Sequence, residues 1–185
     1  MRYSTAISTI EQKALVFFCL QPGRQFHERE VARETRLNPA SVHRALKSLA
    51  KEGFLSSERK GRMIFYELDE SRPLARGYKI AAVVFSLEPL VEKLRGITDL
   101  VVLYGSSIRG DYLAESDVDL FILTSHEDEV FDVVIDFGRG FTKEIKPVIH
   151  SLAEWTNVEG KNPVYAEEIS RGVVLYQSEY YGSKI

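Results

Sequence analysis

The chain has 185 residues, 44% of them hydrophobic, and a formal net charge of −3, a composition typical of folded domains with packed cores. It contains no apolar run of the roughly 18 residues that a membrane span needs, and its N-terminus lacks the apolar core of a secretory signal, so we expect a cytoplasmic protein with no membrane partner. The single cysteine, Cys19, excludes an internal disulfide. Residues 1–70 carry a charge of +3 and residues 71–185 a charge of −6, so we expect the two halves to have different partners.

Three helices are predicted in the N-terminal part of the chain. Apolar residues at helical spacing predict the first helix over residues 7–20. A charged segment at 27–35 predicts a short second helix. Asn38-Pro39 is a capping residue followed by proline at the first helical position, and it begins a third helix whose apolar stripe ends at Gly53.

A basic β-hairpin follows these helices. Residues 54–57 and 63–68 predict its two strands, and residues 58–62 predict a loop that contains a glycine. Three helices and a basic hairpin in this order resemble a winged helix-turn-helix regulator over residues 5–70. The resemblance implies duplex DNA as a partner, bound by a homodimer on a two-fold site.

The winged-helix resemblance also implies a set of DNA-contacting side chains. One group faces outward between the apolar positions of the third helix, where a recognition helix meets the major groove. The other group lies at the tip of the wing, where it would contact the phosphate backbone or the minor groove. These residues are Ser41, His43, Arg44, Lys47, Arg59, Lys60 and Arg62. Winged helices also bind RNA or protein, and a charged face can simply be solvated.

A polar stretch ending at Pro73 marks a boundary between two domains. We expect a winged-helix domain over residues 1–72, a connecting helix over 73–87 and a second domain over 88–185. Pro89 lacks a backbone donor, so the helical segment around it should form either two helices or one kinked helix. The remaining chain predicts strands at 99–104, 118–124, about 144–150 and 173–176, with helices after Ser107, at about 127–138 and before the last strand.

The second domain contains the composite motif Gly-Ser-x3-Gly-x5-Ser-Asp-x-Asp, which begins at Gly105. Gly105 and Ser106 end one strand and open a helix, where backbone N–H groups favour a phosphate. Asp117 and Asp119 lie two apart on a strand, so their carboxylates share a face and a divalent cation would relieve their repulsion. Each part alone is common, but six specified positions would match by accident in roughly one in 10⁵ chains of this length. The combination predicts the arrangement that phosphoryl transfer needs.

These residues resemble the signature of the minimal nucleotidyltransferases of the DNA polymerase beta-like superfamily, over residues 88–180. The implied fold class is α+β: an N-terminal winged helix-turn-helix followed by a small mixed-sheet nucleotidyltransferase domain. The implied activity is transfer of a nucleoside monophosphate from a nucleoside triphosphate, with ATP the expected nucleotide, to a hydroxyl acceptor. By position, Gly105 and Ser106 would hold the phosphates, and Asp117 and Asp119 would ligate Mg²⁺ or Mn²⁺.

Two further residues are assigned by the same resemblance. A third carboxylate usually completes such a site as metal ligand or general base, and Glu144 on the next predicted strand is the candidate, although Lys146 projects from the same face and could pair with it. Arg109 could meet the triphosphate or be a solvated arginine.

Three alternatives to a DNA-binding transferase stay open at this point. The protein could be a transcription factor that senses nucleotide without turnover, in which case nucleotide and DNA would change each other's affinity by the same factor. It could be an antitoxin-like adenylyltransferase that acts on a HEPN-type partner. It could also be an enzyme that modifies RNA or protein and uses its winged helix to dock the substrate.

Overall fold

The computed structural model describes residues 6–182 and divides the chain into two compact units. The first unit runs to Ser86 and also takes in Gly110–Glu115. The second unit comprises Leu87–Arg109 and the chain from Ser116 onward. The division after Ser86 falls within the predicted connecting helix, whereas the short segment 110–115, which we expected in the second domain, packs with the first unit.

The first unit is a helical module closed by a three-stranded antiparallel sheet. The elements are α1 (Ile10–Leu20), β1 (Phe26–His27), α2 (Glu28–Thr35), α3 (Pro39–Lys51), β2 (Leu55–Lys60) and β3 (Met63–Leu68). Strands β1 and β2 both pair with β3, in the order β1-β3-β2. This topology confirms the predicted winged helix-turn-helix.

Side-chain caps fix where the helices of this unit begin. Helix α1 starts three residues later than predicted because Thr9 caps it: the Thr9 hydroxyl accepts from the Gln12 N–H at 3.1 Å, and the Gln12 side chain accepts from the Thr9 N–H at 3.0 Å. Helix α3 starts as predicted, with Asn38 Oδ1 accepting from the Ala40 N–H at 3.0 Å. The cap therefore fixes where the predicted recognition helix begins.

The wing is a tight hairpin rather than a five-residue loop. Lys60 pairs with Met63, so only Gly61 and Arg62 form the turn. Gly61 has a φ of 63°, which such a two-residue turn requires. Arg59 consequently lies on a strand, close to the turn.

Helix α4 (Pro73–Leu94) is one continuous helix that contributes residues to both units. Pro89 lies inside it. Of the two arrangements left open by the sequence, the single helix is the one observed.

A buried tyrosine holds the segment 110–115 in the first unit. Tyr112 is 1% exposed, and its hydroxyl lies 2.9 Å from the carbonyl oxygens of both Cys19 and Lys79, which share its one hydrogen. The buried Lys79 ammonium donates to the Tyr112 carbonyl at 2.8 Å and pairs with Glu70 at 2.6 Å. Because every one of these buried polar groups has a partner, the segment can be buried without an unsatisfied charge.

The second unit is built on a mixed four-stranded sheet. The elements are β4 (Leu100–Tyr104), α5 (Ser106–Arg109), β5 (Val118–Leu123), α6 (Glu127–Gly138), β6 (Ile145–His150), α7 (Leu152–Lys161), α8 (Pro163–Ser170), β7 (Val173–Gln177) and α9 (Glu179–Gly182). The strands lie in the order β6-β5-β4-β7; β4 is antiparallel to both neighbours, whereas β5 and β6 are parallel. The mixed sheet with flanking helices confirms the predicted α+β class.

The two central strands, β4 and β5, are buried almost throughout. Their burial holds in place the strand ends at which the motif residues lie. Phe121 of β5 packs against Trp155 of α7, with ring centroids 4.4 Å apart. Among the described residues, 6–182, no helix is both long and apolar enough to cross a membrane.

Candidate functional site

The turn after β4 needs a glycine because it approaches an aspartate closely. Gly105 has a φ of 72°, and a Cβ added there would lie 2.4 Å from Asp119 Oδ2. Ser106 follows at the first position of α5, which is a single turn of four residues. A helix this short adds little dipole, so the chemistry available to a phosphate here is the Ser106 hydroxyl and the backbone N–H groups of the turn.

The two aspartates of the motif lie together at the start of β5. Asp117 immediately precedes the strand and Asp119 is its second residue, and both side chains are partly buried. Burial and the like charge of Asp117 raise the pKa of the Asp119 carboxyl; Lys146 opposes this shift, and Glu168 adds to it. Two carboxylates held this close attract a cation.

The neighbouring strand presents a lysine, rather than a carboxylate, to this acidic pair. In the parallel register of β5 and β6, Asp119 is aligned with Lys146, and the Lys146 ammonium forms an ion pair with Asp117 Oδ2. Glu144 is exposed and lies one residue before β6, and its carbonyl accepts from the Val118 N–H at 2.8 Å. Within residues 6–182, no three His, Cys, Asp or Glu side chains form a group that could hold a metal ion. The role of Glu144 as third carboxylate stays a prediction.

A cleft of about 490 Å³ opens beside the Gly105 turn. Arg109, which is exposed, lines it from α5, and the wall opposite comes from α8 and the residue that follows it. The lining residues from that wall are Val164, Glu167, Glu168 and Arg171. Arg171 pairs with Glu167 at 2.5 Å, so the cleft holds two arginines and two glutamates.

Sequence reasoning missed the α8 side of the cleft and Lys146. The residues of α8 follow the motif by more than forty positions and carry no spacing that ties them to it. Lys146 was noticed only as a partner for Glu144. Its partner in the structure is Asp117, which the strand register determines.

In the first unit, α3 presents a basic face. Arg44 and Lys47 are exposed, whereas Ser41 and His43 are partly buried. His43 Nδ1 lies 2.5 Å from Glu28 Oε2, so a carboxylate of α2 already occupies that ring nitrogen.

The wing adds three cations. Arg59 donates to the Gly61 carbonyl at 3.4 Å, and Arg62 is exposed in the turn. Lys60 pairs with Glu58 at 3.2 Å and donates to Gln25 at 2.6 Å. The structure therefore brings the predicted DNA-binding residues onto α3 and the wing, with His43 and Lys60 already engaged by acidic or amide side chains.

Comparison with known proteins identifies the second unit. Residues 87–171 match the family model described as "Nucleotidyltransferase domain". The "Putative protein adenylyltransferase" of Methanocaldococcus jannaschii is 33% identical over 90 residues, which are 47% of this chain and 87% of that protein. The chain belongs to the nucleotidyltransferase family, and its second unit is the nucleotidyltransferase domain.

Solved structures similar to this chain include two bacterial proteins. AdcR, the adhesin competence repressor of Streptococcus pyogenes, is 17% identical with a TM-score of 0.35, covering 89% of this chain and 84% of that one. ZitR of Lactococcus lactis, solved in complex with DNA, is 14% identical with a TM-score of 0.33, covering 91% of this chain and 80% of that one. At these scores the assignment of the first unit rests on its own topology, the order β1-β3-β2 after three helices.

Proposed function

We propose that the protein is a DNA-binding regulator whose nucleotidyltransferase domain transfers a nucleoside monophosphate from a nucleoside triphosphate, ATP by expectation, to a hydroxyl acceptor. The observation that carries this proposal is the contact between the Gly105 turn and the Asp119 carboxylate, which joins a phosphate-binding turn to an acidic pair. The adjoining cleft of about 490 Å³ has the size of a small-molecule site.

The acidic pair fits one divalent ion. Asp119 has a raised pKa because it is buried beside Asp117, and hard carboxylate oxygens are the ligands that Mg²⁺ and Mn²⁺ take. Asp117 and Asp119 would hold the ion. When bound, it would neutralise charge on the triphosphate and on the departing pyrophosphate.

The remaining roles fall to side chains around the turn. The Ser106 hydroxyl and the backbone N–H groups would hold phosphate oxygens, and Arg109 would balance the triphosphate charge. The acceptor oxygen forms a bond to the α-phosphorus, and the bond from that phosphorus to the bridging oxygen breaks, so pyrophosphate leaves. The proton of the acceptor hydroxyl passes to a base, for which we propose Glu144, because its negative charge acts on the neighbouring Lys146.

The experiment that tests transfer uses the four nucleoside triphosphates labelled with ³²P at the α-phosphate. Purified protein is incubated with each, with Mg²⁺ or Mn²⁺, in the presence and absence of cell extract, beside the variant Asp117→Asn with Asp119→Asn. We expect label on an acceptor only with the wild type. The size of the labelled species would show whether the acceptor is nucleic acid or protein, including a HEPN-type partner.

One observation favours a second function, nucleotide sensing without turnover. The ion pair between Lys146 and Asp117 places a lysine where the resemblance implies a third carboxylate. In that case no label would be transferred, yet nucleotide would bind and would change the affinity for DNA, and DNA would change the affinity for nucleotide by the same factor.

For the first unit we propose sequence-specific binding of duplex DNA by a homodimer in the cytoplasm. The exposed Arg44 and Lys47 on α3 and the exposed Arg62 in the wing support this proposal. Binding should weaken steeply with salt, because each neutralised phosphate releases counterions. A titration of duplex DNA at several salt concentrations tests it, and a flat salt dependence or no binding near physiological salt would contradict it.

A further inference from the structure

Lys146 is the one cation of β6 that the strand register aligns with the acidic pair. Its ammonium forms an ion pair with Asp117 Oδ2, and the side chains of Lys146 and Asp117 are 55% and 30% exposed. The ion pair is therefore open to solvent rather than buried in the core. A positive charge is built into the position beside the two carboxylates.

The side chains beside the acidic pair limit the cations that it can hold. Asp117 and Asp119 are the two carboxylates, Lys146 is paired with Asp117, and Glu144 and Glu168 act on this cluster through their charge. Sites that hold two divalent ions place them about 3.5–4 Å apart, so a second ion needs oxygen ligands at the position beside the pair. The described part of the chain contains no group of three acidic, histidine or cysteine side chains in metal-binding proximity.

Glu144 does not take the aligned position on β6. It is exposed, precedes β6, and enters the sheet through its carbonyl, which accepts from the Val118 N–H at 2.8 Å. The residue aligned with Asp119 is instead Lys146. A second divalent ion at that position would meet an ammonium in place of a carboxylate.

We infer that Lys146 limits the site to one divalent ion and itself supplies the second positive charge to the triphosphate. The inference rests on the proposed nucleotide binding and concerns how that site is neutralised. An ammonium on a flexible four-carbon stem binds phosphate as a point charge. Since the side chain is about half exposed, it can leave Asp117 for a phosphate oxygen when a metal ion takes up that carboxylate.

The number of bound metal ions tests the inference without reference to turnover. Mn²⁺ is titrated into the full chain in the presence of a saturating, non-hydrolysable ATP analogue, and free Mn²⁺ is followed by electron paramagnetic resonance. We expect one Mn²⁺ per wild-type chain and one in Lys146→Arg, which keeps the charge. In Lys146→Asp, which presents a third carboxylate at the aligned position, we expect two.

A second measurement isolates the phosphate contact. With Mg²⁺ held at a saturating concentration, the analogue should bind Lys146→Gln about tenfold more weakly than the wild type, the loss expected for one hydrogen bond to a charged group. Lys93→Gln is the matched control, because Lys93 is an exposed lysine of the same unit that pairs with Asp136 at 3.8 Å. Its affinity should equal that of the wild type.

The outcomes separate this inference from the proposed function. Two Mn²⁺ per wild-type chain, or a single ion in a folded Lys146→Asp chain, would overturn the role of Lys146 while nucleotide binding stood. If Lys146→Asp does not fold, the Lys146→Gln measurement decides, and an affinity equal to that of wild type overturns the inference. Failure of the wild type to bind the analogue with or without Mn²⁺ would overturn the proposed function itself, and this inference with it.

Discussion

Gly105 shows at the scale of one residue how backbone geometry and chemistry meet in the motif. Its φ of 72° favours glycine, and the Asp119 carboxylate occupies the space that a Cβ would take. We predict that Gly105→Ala lowers the free energy of unfolding by about 1–3 kcal/mol through strain at positive φ. It should also weaken binding of metal and nucleotide, because Asp119 must move. Chemical denaturation and calorimetric titration measure the two effects.

Gly96 provides the matched control for that substitution. It has a φ of 86° in the same unit, but an added Cβ would meet nothing within 4 Å. Gly96→Ala should therefore lose stability to a similar degree and keep its affinity for nucleotide. Equal losses of nucleotide affinity in the two variants would contradict the close contact of Gly105 with Asp119.

Cys19 makes stability depend on alkaline pH. Burial raises the pKa of its thiol from 9.0 to about 12. Between these values the unfolded chain loses the proton and the folded chain keeps it, so the free energy of unfolding falls as the pH rises from about 9 to 12, by about 1.4 kcal/mol per pH unit for this group. Urea denaturation from pH 8 upward measures the slope. Cys19→Ala should start less stable and show a shallower decline; an equal slope would contradict the assignment.

Some residues of the site could be predicted from the sequence, and others could not. Gly105, Ser106, Asp117 and Asp119 lie within fifteen positions of one another, so local spacing was enough to group them. The position of Lys146 depends on the register of two strands that are separated by helix α6, and no local pattern encodes that register.

At the scale of elements, helix α3 is the part of the first unit for which we predict contact with DNA bases. Arg44 and Lys47 are exposed on it, between buried apolar positions that fix its orientation. We predict that Arg44→Ala with Lys47→Ala weakens binding of duplex DNA by a few kcal/mol, since a bidentate base contact contributes roughly 1–3 kcal/mol. The salt dependence should also become shallower. Gel-shift titration measures both.

The control for the α3 variant removes the same charge elsewhere. Lys93→Ala with Lys161→Ala takes two exposed lysines from the nucleotidyltransferase domain. DNA affinity should stay close to wild type in that variant. If both double variants weaken binding equally, net charge rather than α3 accounts for the interaction.

Elements with strong local signals were predictable, whereas the short strand β1 was not. Helix α3 begins where Asn38-Pro39 predicts, because the cap is local chemistry. Strand β1 has two residues, too few to show an alternating pattern, and exists because β3 pairs with it. Helix α5 is one turn long, too short for periodicity to detect, and the Gly105-Ser106 motif predicted it instead. The hairpin turn is shorter than the predicted loop of residues 58–62, because the charged residues that predicted a loop continue along β2 up to the turn.

At the scale of the whole chain, the two units are not continuous in sequence, because a short segment within the second unit's sequence belongs to the first unit. The segment 110–115 lies in sequence between the Gly105 turn and the acidic pair but packs in the winged-helix unit through Tyr112. We predict that Tyr112→Phe lowers the free energy of unfolding of that unit by about 1–3 kcal/mol, because two buried carbonyls lose a donor. Tyr78→Phe, at a side chain 38% exposed, should be nearly neutral in the same urea titration. Equal stability of Tyr112→Phe and wild type would contradict the anchoring role.

The Gly105 turn and the acidic pair are proposed to form one nucleotide site. Calorimetric titration of a non-hydrolysable ATP analogue with Mg²⁺ into the wild type and into Asp117→Asn with Asp119→Asn tests this claim. We predict one bound analogue per wild-type chain and an affinity at least about tenfold lower in the variant, as expected when charged contacts to the metal are removed. The variant should remain folded, because burial and like charge already disfavour the ionised Asp119. Equal affinity in the two proteins would contradict the claim.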